Sequence, residues 1–257
     1  MTLDQIKALD PKRVIVLDTE TTGIKPQGND EILSLTIIDL EGTVLFNELV
    51  KPEHRKSWPK AQEVNGITPA MVKDKLPLVA YRDQLQELWQ RIDLVVGYNV
   101  GFDSDFLYSS GLALSPYVEE FDVMREFAPV NGKWDEYHQD YRWCKLNECA
   151  KHYGVKLNNA HTSLGDTEAT RQCFIALIND PKYESSQRAF ERLKAKNTVK
   201  SVVKSEDKTG KRMISFALIF FFIGLITVFR DFGAGMFCLV VCMVLVVLKM
   251  QRDKKGK

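Results

Sequence analysis

Two uncharged apolar runs near the C-terminus constrain this chain more than any other feature. MISFALIFFFIGLITVF occupies residues 213–229 and MFCLVVCMVLVVL residues 236–248, both apolar all round a helix. About 20 apolar residues carry a helix across a bilayer, so the two runs together are too long for one span. Arg230 and Asp231, with Gly233 and Gly235, fall where a turn is needed. Lipid leaves the backbone few options beyond helices, and the expectation is a two-helix transmembrane hairpin over 213–249, with helices at 213–229 and 233–249. The same pair buried inside a soluble protein would need a larger body to cover every face. Lys208, Lys211 and Arg212 precede the first run, Lys249, Arg252, Lys254, Lys255 and Lys257 follow the second, and the connector is neutral. By the positive-inside rule both termini, and everything before residue 208, are expected on the cytoplasmic side.

The part in front of the hairpin has a globular composition and is acidic. Residues 1–180 carry 19 Lys and Arg against 28 Asp and Glu, while residues 181–212 carry 10 against 4. An acidic body argues against a nucleic-acid binder that works through lysine-rich surface alone, but not against one that meets phosphate through bound metal. The basic stretch after it reads as a solvated face drawn to anionic lipid, or more sharply as a guide for nucleic acid. Five cysteines, odd in number and without a CxxC pair, suggest a reducing compartment, and the N-terminus has no apolar signal core. The expected organisation is a catalytic domain at 1–180, a basic helix and linker at 181–212, the hairpin, and a basic cytoplasmic tail at 250–257.

Within the first 180 residues the hydrophobic period changes several times. RVIVLDTE (13–20) reads as a buried central strand, and 31–40 and 43–50 as the next two, joined tightly at Glu41-Gly42. Leu85, Leu88, Trp89 and Ile92 share one helical face within 78–92. DLVVGYN (93–99) returns to strand, followed by helical patterns just after it and at 119–128, 145–153 and 163–179. The whole predicts an α/β domain in which helices pack on a mixed sheet whose first three strands are antiparallel.

Three short motifs stand at element ends in that layout. In VLDTETTG (16–23), Asp18 and Glu20 share one face of a strand tip, where two acids repel and desolvate unless a cation is expected; alone, a solvated strand end explains them equally well. YNVGFD (98–103) puts Asp103 in the first turn of a helix, where capping is the simpler account, and Asp105 points elsewhere. HTSLGD (161–166) offers Thr162 or Ser163 as a cap, Asp166 in the first turn, and His161 just outside. Together they supply four carboxylates and one histidine. Hard oxygen ligands suit Mg²⁺ or Mn²⁺, and a neutral histidine beside them can deprotonate water.

These three motifs, in this order and spread, resemble those of the DnaQ-like (DEDDh) 3′-5′ exonucleases, the family that includes the proofreading epsilon subunit of bacterial DNA polymerase III. Glu63-Val64-Asn65-Gly66-Ile67-Thr68 is similar to the family's segment between its first two motifs, with Asn65 where many relatives carry histidine. The resemblance covers roughly residues 12–180. It implies a ribonuclease H-like fold with a mixed five-stranded sheet, and a two-metal hydrolysis using two divalent cations, Mg²⁺ or Mn²⁺. Asp18 would bridge both metals, Glu20 and Asp166 would complete the tighter site, Asp103 would help hold the second, and His161 would be the general base. Thr19, Thr21, Asn99 and Phe102 would meet the terminal nucleotide. The partner implied is a nucleic-acid 3′ end, single-stranded DNA in the first place and RNA in the alternative, with no indication of a polymerase partner. The hairpin is an addition on which the resemblance is silent. It would place the catalytic domain on the inner face of a bacterial cytoplasmic membrane. A non-catalytic scaffold on the same fold is the reading the intact acid set disfavours.

Overall fold

The computed structural model describes residues 1–157 and 162–207, with side chains to residue 195. His161, the expected hairpin and the basic tail lie outside the described residues. The elements in chain order are α1 (Leu3–Lys7), β1 (Val14–Thr21), β2 (Ile32–Asp39), β3 (Val44–Leu49), α2 (Pro59–Asn65), α3 (Pro69–Val72), α4 (Arg82–Trp89), β4 (Leu94–Gly97) and α5 (Val100–Ser109). They continue with β5 (Glu119–Asp122), α6 (Val123–Asn131), the short strands β6 (Trp134–Asp135) and β7 (Asp140–Tyr141), α7 (Leu146–Tyr153), α8 (Ser163–Ile178) and α9 (Pro181–Asp207). The sheet lies within the unit Met1–Phe190.

The main sheet has five strands in the order β3-β2-β1-β4-β5. β1 is antiparallel to β2, and β2 to β3, whereas β4 and β5 run parallel to β1. Helices cover both faces, so the first half of β1 reads as an unbroken apolar run instead of an alternation. Val14 and Val16 pack with Cys173, Phe174 and Leu177 of α8 on one face. Ile15 and Leu17 pack with Leu85 and Trp89 of α4 and Phe106 and Leu107 of α5 on the other. With both sides covered, the strand's end is the only place where its side chains can meet solvent.

Three sequence expectations need correction or extension. Residues 119–128 are not one helix: Glu119–Asp122 form the edge strand β5, and α6 starts at Val123. EEFD has little intrinsic strand character, but β4 offers it a ladder in register from Leu94↔Glu119 to Gly97↔Asp122, and tertiary pairing overrides propensity. Asp122 then caps α6 by accepting from the Met124 N–H at 3.0 Å. The helix within 78–92 is shorter than its apolar pattern, running from Arg82 to Trp89 behind a 3-10 turn. The small β6–β7 hairpin has no counterpart in the sequence reading. Among the described residues no helix is long and apolar enough to cross a membrane, and residues 213–249 lie outside that set.

Candidate active site

Parallel pairing sends β1, β4 and β5 towards the same edge, so the three strand ends and the helices that follow them gather there. Asp18 and Glu20 lie opposite Thr36 and Ser34 of β2. A buried knot of hydroxyls fastens α8 to that strand, with Ser163 Oγ 2.7 Å from Ser34 Oγ and 2.8 Å from Thr36 Oγ1. Thr162 caps the helix instead, accepting from the Gly165 N–H at 3.1 Å. Thr167 Oγ1 donates back to the Ser163 carbonyl at 2.5 Å. Asp166, one helical turn above Ser163, is thereby brought close enough for its charge to act on Asp18 and Glu20.

Asp103 arrives from the other face. Asn99 takes the left-handed conformation at φ 68° and turns the chain sharply from β4 into α5. Its N–H donates to Asp122 Oδ1 at 3.0 Å. At the same bend Gly97 has no room for a side chain, since a Cβ would lie 2.9 Å from Val100 Cβ. Asp103 bonds its own N–H in the first turn of α5 and reaches across to β1 as well. Its Oδ1 accepts from the Thr19 N–H at 2.9 Å and from Thr19 Oγ1 at 2.6 Å, fully buried. Asp105 is exposed. Thr19→Val keeps the shape and deletes one of these bonds to a buried carboxylate. It is expected to cost about 1–3 kcal/mol in urea unfolding, most of it restored by Thr19→Ser; an unchanged midpoint would remove this role from the hydroxyl.

The charges at this edge are held against their preference. Burial first, then Asp103, Glu20 and Asp166, keep the Asp18 carboxyl protonated well above the usual range. Burial and Asp166 push Glu20 up to about 7, partly offset by a hydrogen bond from Asn65. Burial pushes Asp103 up to about 7 despite the two bonds from Thr19. Three motifs far apart in the chain thus form one electrostatic unit. Among the described residues no three His, Cys, Asp or Glu side chains converge closely enough to enclose an ion on their own. The donor set nonetheless fits a hard divalent cation: all oxygen, mutually repelling, and relieved by positive charge.

Beside Glu20 opens a cleft of about 700 Å³ lined by Thr21, Ile24, Lys25, Arg55, Trp58, Lys60 and Asn65, among others. Asn65 stitches its wall, its Nδ2 donating to the Thr21 carbonyl at 3.2 Å while its Oδ1 accepts from the Ile67 N–H at 3.0 Å. Arg55 pairs with Asp30 at 3.0 Å across the mouth. Of the residues expected to meet a nucleotide, Thr21 lines this cleft. Thr19 is committed to Asp103, Asn99 forms the bend, and Phe102 packs half-buried on Phe106 with ring centroids 4.9 Å apart. Sequence reasoning missed Ser34 and Thr36 and offered Ser163 only as a cap; the available signal was two small hydroxyls on the same face of a strand otherwise built from Ile and Leu.

The sequence model of a family described as Exonuclease matches residues 15–174. The chain is 30% identical over 178 residues to a DNA polymerase III subunit epsilon-like protein of Rhodobacter capsulatus, covering 66% of this chain and 24% of that relative. It is 30% identical over 176 residues to an exonuclease of Escherichia phage 186, covering 64% of this chain and 87% of the relative. The chain therefore spans about a quarter of the polymerase-subunit-like relative and most of the phage one. Exonuclease I of E. coli, solved with a dT13 oligonucleotide, superposes with a TM-score of 0.52 at 21% identity, over 70% of this chain and 42% of that one. At that identity the likeness is one of fold.

Proposed function

The chain belongs to the exonuclease family whose model spans residues 15–174, and from that membership we propose that it is a metal-dependent 3′-5′ exonuclease acting on DNA ends; on the separate ground of the apolar runs within 213–249, it would be tethered to the cytoplasmic face of a membrane. The observation that carries the reading is the cluster of Asp18, Glu20, Asp103 and Asp166 at one sheet edge, where burial and mutual repulsion raise the carboxyls well above their ordinary range. Such perturbation marks a site built for a task. Asp18, Glu20 and Asp166, which do not enclose an ion as they stand, would draw together to hold one divalent cation, and Asp103, directly or through water, would help hold a second. Bound there, two such ions would neutralise the phosphodiester and stabilise the attacking and leaving oxygens.

The rest of the work falls to the chain itself. Thr19 fixes the Asp103 carboxylate through two hydrogen bonds, and the Ser34–Thr36–Ser163 knot fixes the helix that bears Asp166. His161, two residues before Ser163 and close to Asp166 in sequence, would take the proton of the attacking water. The terminal nucleotide would enter the cleft beside Glu20 and Thr21, with Lys25 and Lys60 offering charge to phosphate. The oligonucleotide bound to exonuclease I and the likeness to a DNA polymerase III subunit epsilon-like protein favour DNA; RNA trimming is the second substrate reading.

A substrate panel on the 257-residue chain in mild detergent tests this. With Mg²⁺ or Mn²⁺, 5′-labelled single-stranded DNA should shorten one nucleotide at a time, releasing nucleoside 5′-monophosphates, and EDTA should stop it. Faster trimming of a matched RNA would move the assignment to the ribonuclease reading. Cleavage from the 5′ end, or none on any substrate, would overturn it.

A further inference from the structure

Resting on the exonuclease reading, we propose that Trp143, braced by Arg125, is a stacking platform for a base of the single strand upstream of the nucleotide being removed. Trp143 is 53% exposed. The Arg125 guanidinium lies over its ring, 5.3 Å from the centroid, so the ring has a cationic backing while about half of the residue stays open to water. A single exposed tryptophan is unremarkable in itself. Its attachments are what tie it to the site. Tyr98, which opens the YNVGFD motif, donates its hydroxyl to the carbonyl of the neighbouring Cys144 at 2.8 Å. Arg125 pairs with Asp122 at 3.3 Å, and the same Asp122 accepts the Asn99 N–H that shapes the bend before Asp103.

Topology sets the distance. Arg125 sits in the first turn of α6, immediately after β5, at the edge where β1 also ends. β5 is two strands from β1, which is about 10 Å at 4.8 Å per strand, and Trp143 lies beyond it past the Arg125 side chain, so the platform is at least about three stacked steps of a nucleic-acid strand away at 3.4 Å each. The local charge suits a phosphate backbone. Arg142 and Lys145 flank Trp143 and are exposed, in a body that is otherwise acidic. An aromatic face with basic neighbours is the arrangement that holds single strands without reading sequence. An interfacial aromatic anchor for lipid is the rival occupant. It is disfavoured because both attachments run to the acid-bearing edge.

The test compares the 257-residue chain with W143A and W143F on dT15 and on dT2. A dinucleotide is too short to reach the platform, so the ratio of KM for dT2 to KM for dT15 should fall about tenfold in W143A and be largely retained in W143F. An unchanged ratio in W143A overturns the proposal. A binding arm decides it independently of hydrolysis. Trp89 is buried and Trp134 half-buried, while Trp58, though buried, lines the nucleotide cleft, so W143F should lose most of the quenching of intrinsic fluorescence that dT15 causes and retain what dT2 also causes in the wild type, while anisotropy of labelled dT15 still shows W143F binding. If no variant cleaves DNA but wild type is quenched in this way, the exonuclease reading fails and the platform stands. If dT15 has no effect and phosphatidylglycerol vesicles shift Trp143 emission to the blue, the face belongs to lipid and the proposal is wrong.

Discussion

Asp18→Asn should lower exonuclease turnover in Mg²⁺ by about a thousandfold or more, and in EDTA at pH 8 it should raise the melting temperature of the same preparation. The two effects share a cause. Asp18 is desolvated and faces Asp103, Glu20 and Asp166, so without a cation its charge opposes folding, and an amide of the same shape removes that opposition. With a cation the balance reverses. Bound ions contribute several kcal/mol to transition-state stabilisation in such chemistry, and each 1.4 kcal/mol is about tenfold in rate, which gives the expected loss. Asp105→Asn, at an exposed position two residues beyond Asp103, should change neither quantity. The pairing of gain and loss is the diagnostic: a purely structural carboxylate would lose stability along with activity. Full activity in Asp18→Asn would remove Asp18 from the machinery. A fall in both activity and melting temperature would recast it as a positioning group.

How far the site could be read in advance depended on whether its residues announced themselves locally. β1 did, because Val14 to Leu17 is a continuous apolar run that suits only a strand covered on both faces, and the acids follow directly. Asp103 did not. As a single acid in a first helical turn it looked like a cap, and only the pairing across the sheet to Thr19 shows that its carboxylate is occupied 84 positions away. Ser34 and Thr36 were invisible for a related reason: polar residues in a strand suggest a solvated face, yet all of β2 is buried, and their partner is Ser163 on a helix far along the chain. β5 escaped because EEFD is a strand only by virtue of its neighbour. What local pattern conveys is burial and period; what it hides is who the long-range partner is. The Trp143 platform belongs to the hidden class, since its significance lies in Tyr98 and Arg125 and not in its own surroundings in sequence.

A metal-free preparation should become less stable as pH rises from about 5 to 8, and added Mg²⁺ should raise the melting temperature more at pH 8 than at pH 5.5. Glu20 moves from an ordinary 4.5 to about 7 on folding, and Asp103 from 3.8 to about 7. Below the ordinary values both states are protonated and these groups contribute nothing. Between the ordinary value and 7 the unfolded chain releases its protons while the folded one retains them, so each such carboxyl favours unfolding by about 1.4 kcal/mol more for every pH unit climbed; solvent access at Glu20 reduces its share. Above 7 the full penalty stands. Groups displaced the other way do not mask the trend, because Glu31 and Glu168, held low by hydrogen bonds in the fold, have contributed all their stabilisation by pH 5. Cation binding competes with those same protons, and its stabilisation grows with occupancy, hence the larger effect at high pH. Thermal melts across this range, with EDTA or Mg²⁺, measure both slopes. Glu20→Gln combined with Asp18→Asn should flatten the pH dependence and abolish most of the Mg²⁺ increment, which ties both effects to the cluster. A metal-free melting temperature that climbs towards pH 8, or a Mg²⁺ increment equal at both pH values, would show that these carboxylates are not the repelling, cation-seeking set their placement implies.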